Sequence, residues 1–260
     1  MKRPEFRQWV DKQPDPGWTL MPLTHLTKAL TAGDIIRDGQ ISLSDKDSSE
    51  PSAYFFYGRP AYKVHGDGPL KFEAACPFCF IFDPEIIKQS KAIHAFDSGA
   101  FADRMYKHIL MDEMTIDDFS LEKDSTRPNK LISAVFSSRL NYFEGNVGPS
   151  IPTQDAAPWE FLPAAYLELL RSRGRNEPDD RICSIEVVFG SVVPLQGNLR
   201  AVIVPHTLWT GNQKSPWLTQ LHGSNVEVIP YQFTPGKHPA HYHALLESEV
   251  REFYRRGQWL

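Results

Sequence analysis

The apolar residues of this chain arrive in short separate bursts, and the order of those bursts restricts the fold more than any single motif does. The runs CPFCFIFD (76–83), RICSIEVVF (181–189) and NVEVIPYQF (225–233) have the length and residue content of strands. So do stretches 18–26, QISLS, KAIHAF and KLISAVFSS. Other segments carry a helical period. Thr27 is placed to cap a helix through KALTAGDIIRD, with Gly39 as its left-handed stop. GAFADRMYKHILMDE repeats Phe101, Met105 and Ile109 at helical intervals, and WEFLPAAYLELLRSRG tolerates Pro163 in a first turn. HYHALLESEVREFYRRG closes the chain with Leu246, Val250 and Phe253 on one side. Strands and helices mix without a regular βαβ alternation and no long linker interrupts them. The expectation is an α+β fold in one domain over residues 1–260.

Composition narrows the functional classes. At 260 residues and 41% hydrophobic, the chain can bury a sizeable core without staples. A formal net charge of -4 supplies no global basic field for duplex nucleic acid, which leaves only local patches. The apolar runs fall short of a membrane span, and MKRPEFRQWV lacks the apolar centre of a signal peptide, so no membrane partner is expected. Cysteines are few and odd in number (Cys76, Cys79, Cys183), as in a reducing compartment, so the expected location is cytoplasmic.

Three pieces of sequence carry chemistry. The first is LTHLT, where His25 ends a strand ahead of a helix. A hydrogen-bonded structural histidine is the plain alternative. The second is YFFYGRPAYKV (54–64), which places four aromatics before Gly-Arg-Pro and a further tyrosine. It reads either as a core strand and turn, or as rings around a ligand with Arg59 delivered to charge. The third is Glu186, a lone carboxylate in an apolar strand. Alternation sets it with Ser184 and Val188, opposite Ile185 and Val187. A solvent-facing glutamate on an edge strand is the alternative there.

In this order, the three pieces resemble the histidine–tyrosine–glutamate plan of the diphtheria-toxin-like and poly(ADP-ribose)-polymerase-like ADP-ribosyltransferases. They are most similar to the DNA-modifying DarT-like toxins. The resemblance covers roughly residues 20–205 and rests on His25-Leu26-Thr27, the aromatic segment from Tyr54 to Tyr62, and Glu186-Val187. It implies a split mixed or antiparallel sheet and a reaction in which NAD donates ADP-ribose to a macromolecular acceptor, nucleic acid or protein, with nicotinamide leaving. It also implies a toxin or anti-phage setting, with an antitoxin or regulatory protein as a further partner. Single-stranded nucleic acid suits the aromatic content as acceptor. Glu186 would stabilise the developing ribosyl cation. Arg59 would be the second catalytic residue, meeting phosphate or acceptor. His25, Thr27, Tyr54, Tyr57 and Tyr62 would bind NAD, with Gly58 allowing close approach to the ligand and Pro60 stiffening the turn.

Other constellations compete. Cys76 and Cys79 have C-x-x-C spacing and HPAHYH adds His238, His241 and His243, so zinc is arithmetically available. A second paired motif is missing, and i, i+3 positions of a strand point apart, so buried thiols and no metal are expected. A hydrolase or nuclease using His241 and His243, and a non-catalytic nucleotide-binding module of the same fold, stay open as alternatives. Asp97 and Ser98 read as a helix start, with a cap as their first role.

Overall fold

The structure is a computed structural model that describes residues 3–44, 50–61, 68–147, 156–172, 179, 181–210, 213–222 and 224–260. Seven strands form one mixed sheet: β1 (Leu23–Lys28), β2 (Ala53–Tyr57), β3 (Pro77–Phe82), β4 (Ala92–His94), β5 (Glu186–Phe189), β6 (Leu199–Pro205) and β7 (Glu227–Tyr231). Their spatial order is β7-β6-β3-β1-β2-β5-β4. Only the β7–β6 pair is parallel; the other neighbours run antiparallel. The α+β expectation therefore holds.

The sheet parts in its middle. β1 pairs with β3 along its whole length, from Leu23 opposite Phe82 to Lys28 opposite Pro77. Against β2 it pairs only at Leu23–Tyr57 and Thr24–Phe56. From His25 onward β1 follows β3, while Tyr54 and Phe55 follow β5. Beyond Thr24 and Phe56 the two strands make no further ladder pairs, and a gap between them is lined by residues of both.

The helices are α1 (Glu5–Asp11), α2 (Ala29–Asp38), α3 (Ser98–Ala102), α4 (Arg127–Phe136), α5 (Arg139–Phe143), α6 (Phe161–Arg171), α7 (Pro216–His222) and α8 (Pro239–Arg256). α2 packs on β1 and β3 and against α7, and α8 lies along β3, β6 and β7. α1 packs between α4 and α6. Gly39 ends α2 in the left-handed region at φ 70°, Pro163 sits in the first turn of α6, and Leu246 and Val250 of α8 are buried, all as the sequence indicates.

Two segments depart from expectation. KLISAVF is helical, in α4, because Leu131, Ile132, Val135 and Phe136 are apolar at helical spacing and are all buried. The helix through GAFADRMYKHILMDE stops at Ala102, and Arg104 turns into the left-handed region at φ 58°. Thr27 is no cap either. It lies within β1, and α2 begins after Lys28 with no side-chain cap. Among the described residues no helix is long and apolar enough to cross a membrane.

Candidate functional site

The gap in the sheet opens into a cleft of about 550 Å³, within the usual range for small-molecule sites. His25, Leu26, Thr27 and Lys28 of β1 form one side, with Thr31 of α2. Tyr54 and Phe56 of β2 and Glu186 of β5 form the other, joined by Asp97, Ser98, Gly99 and Arg181. Ala61, Leu70, Ala75, Pro77, Pro239 and His243 complete the wall. The cleft thus has a charged region around Glu186 and a largely apolar one around Pro77.

Strand parity decides which aromatics take part. Along β2, Ala53, Phe55 and Tyr57 are buried while Tyr54 and Phe56 are partly open. Phe56 is the register partner of Glu186, so Tyr54, Phe56 and Glu186 share one face. Tyr57 is on the opposite face, in the core. Its hydroxyl accepts from the Met21 N–H at 3.0 Å and donates to Asn129 Oδ1 at 2.9 Å. Burial pushes its pKa up to about 12. Tyr57 is therefore a structural anchor and not an NAD-binding ring, which corrects the sequence reading. Tyr62 lies outside the described residues.

Arg59 is also displaced from its expected role. It is 1% exposed, is absent from the cleft wall, and its carbonyl accepts from Thr24 Oγ1 at 2.7 Å. Its positive charge lies near the Tyr142 phenol in the core. The turn that carries it points inward because of Gly58, at φ 69°, where a Cβ would fall 2.6 Å from Met21 Sδ. The close approach that Gly58 permits is to a core methionine rather than to a ligand.

His25 spans the gap. Its Nδ1 lies 2.9 Å from the Tyr54 carbonyl oxygen, and its ring sits 5.4 Å from Phe55 and 6.2 Å from Phe80, centroid to centroid. Burial lowers its pKa, opposed in part by the bond to Tyr54. The imidazole is neutral at pH 7.

Glu186 heads β5 and is 1% exposed. β5 is an interior strand between β2 and β4, so the edge-strand alternative fails. The Ser98 N–H donates to Glu186 Oε2 at 3.3 Å. The preceding residue is held too: the Ile185 N–H donates to the Tyr142 hydroxyl at 3.0 Å, which itself donates to the Tyr57 carbonyl at 2.7 Å. Sequence reasoning missed Tyr142, because nothing local marks a tyrosine of α5 as a brace for β5. Asp97 caps α3 as expected, by accepting from the Ala100 N–H. It also faces the cleft and takes Arg181 Nη1 at 3.2 Å. Lys28 and Thr31 reach the wall through their neighbourhood to Thr27, the only signal the sequence offered for them.

The cysteines and histidines of the competing readings do not assemble. Cys76, Cys79 and Cys183 are buried free thiols, and burial pushes the Cys76 thiol up to about 12, far from a reactive thiolate. Among the described residues no group of three His, Cys, Asp or Glu side chains is arranged to hold a metal ion. His241 and His243 both lie on α8, but His241 is exposed while His243 is 6% exposed and in the cleft wall. A helix turns successive odd positions to different sides, so the pair does not act jointly.

No family model, curated protein or solved structure matches the chain.

Proposed function

We propose that this chain transfers ADP-ribose from NAD to a macromolecular acceptor, with release of nicotinamide, on an ADP-ribosyltransferase-like split sheet. One observation carries the reading. Glu186 is a buried carboxylate at the head of an interior strand, and it lines the same cleft as His25 across the opening of the sheet. Cleavage of the bond between ribose and nicotinamide develops positive charge on the sugar. A carboxylate already fixed and shielded from water stabilises that charge without reorganising. His25 and Thr27 offer polar contacts to the ribose hydroxyls, and Tyr54 offers a ring face to the nicotinamide. The acceptor is nucleic acid or protein, in a toxin or anti-phage setting.

The test is incubation with labelled NAD and cell lysate, reading nicotinamide release and the fraction that carries label. Glu186→Gln keeps shape and most hydrogen bonding while removing charge. Transfer by this variant slows by roughly 10²-fold or more, with little change in melting temperature. Full activity in the folded variant removes the carboxylate from the mechanism. A parent that binds NAD without turning it over favours the non-catalytic module.

A further inference from the structure

Arg181 stands just upstream of Glu186, in the single turn Arg181–Cys183 that leads toward β5. It is 4% exposed, yet lines the cleft. Its Nε and Nη2 donate to the Asp179 carboxylate at 2.9 and 2.8 Å, and its Nη1 donates to Asp97 Oδ1 at 3.2 Å. Burial by itself would lower its pKa. Hydrogen bonding to Asp179 and the charges of Asp97 and Asp179 outweigh that and raise it, so the group remains a cation. Asp97 in turn holds the start of α3 through the Ala100 N–H. The next residue, Ser98, sends its N–H to Glu186 Oε2 at 3.3 Å. The connections form a ring that leaves the chain at Arg181 and returns to it at Glu186.

We propose that Arg181 is a positioning residue for Glu186: by clamping Asp97 it aims the Ser98 N–H at the Glu186 carboxylate and fixes the carboxylate toward the cleft. This rests on the transferase reading. The competing role, a guanidinium that binds an NAD phosphate, has the wrong electrostatics. The three donor atoms described above are directed at carboxylates, and two carboxylates against one guanidinium leave the cluster negative. The Ser98 N–H lies 3.3 Å from Glu186 Oε2, at the long end of the hydrogen-bond range, so loosening this donor costs orientation of the carboxylate rather than affinity for NAD.

The experiment uses the full chain and follows nicotinamide release for the parent, Arg181→Gln, Glu186→Gln and the double variant. Arg181→Gln lowers kcat by roughly 10²-fold, with KM for NAD changed by less than about 2-fold. The double variant is no slower than Glu186→Gln alone, because Arg181 acts only through that carboxylate. Arg181→Lys, which keeps the charge, recovers part of the rate and carries the same cycle if Arg181→Gln does not fold. A raised KM with unchanged kcat would show a direct ligand contact, and a double variant slower than Glu186→Gln would show an independent role; either result overturns the proposal. If the parent itself neither releases nicotinamide nor is stabilised by NAD, the transferase reading falls and this role falls with it. A working parent with an unaffected Arg181→Gln variant sinks only the positioning role.

Discussion

His25 Nδ1 lies 2.9 Å from the carbonyl oxygen of Tyr54, across the gap where β1 and β2 part. A carbonyl oxygen only accepts, so Nδ1 carries the proton, and Nε2 of the neutral ring is an acceptor. The contact replaces the ladder bond that an unbroken sheet would have made at this level. It ties the two halves of the sheet at the mouth of the cleft.

Burial of this ring has a pH signature. Burial lowers the His25 pKa, so below about pH 6.5 the folded chain holds fewer protons than the unfolded one. The contribution of His25 is fully present above that pH and is lost as pH falls toward the depressed folded value. Melting midpoints of the parent therefore drop between about pH 7 and pH 5.5, and those of His25→Gln drop less. Parallel profiles for the two proteins would show that the imidazole is not held neutral.

Strand parity assigns Tyr54 and Tyr57 opposite roles. Tyr54→Ala abolishes the NAD-dependent rise in melting temperature at a stability cost of about 1 kcal/mol or less, as for a partly open side chain. Tyr57→Phe leaves kcat/KM intact but costs about 1–3 kcal/mol, because the Met21 N–H and Asn129 Oδ1 lose their buried partner. The reverse pattern in denaturation and NAD-binding assays would place the wrong face of β2 toward the cleft.

Arg59 is placed to support the fold. Arg59→Met lowers stability by about 3 kcal/mol, at the upper end for a single substitution, because a fully buried side chain loses its packing and polar contacts. At roughly 2–4 °C per kcal/mol, the melting temperature falls by about 6–12 °C, while activity per folded molecule stays at the parent level. Lost transfer at an unchanged melting temperature would return Arg59 to the active site.

Gly58 tests the inward turn. In Gly58→Ala the new methyl meets Met21 Sδ at 2.6 Å, in a backbone at φ 69° that side chains resist. The cost is about 1–3 kcal/mol, read as a lower denaturation midpoint at constant m-value. Combined with Met21→Ala, the loss is smaller than the sum of the two single losses, since the clash goes with the methionine. Additive losses would place the strain elsewhere.

Local physics was legible in the sequence. The left-handed stop at Gly39, the proline in the first turn of α6, the strand run 77–82 and the closing helix each depend on residues near one another in the chain. Glu186 stood out as a carboxylate among apolar neighbours, and His25 as a polar ring at the end of a strand. The aromatic run 54–57 announced a period of two, but a period defines two faces without saying which one is buried. Only pairing with β1 and β5 decided that Tyr54 meets the cleft and Tyr57 the core. The same holds for Arg59, whose direction is set by Gly58 packing on Met21, and for the link from Arg181 through Asp97 to the Ser98 N–H. These contacts join positions far apart in the chain. Their partners are selected by the closure of the sheet and not by anything a local stretch of sequence encodes.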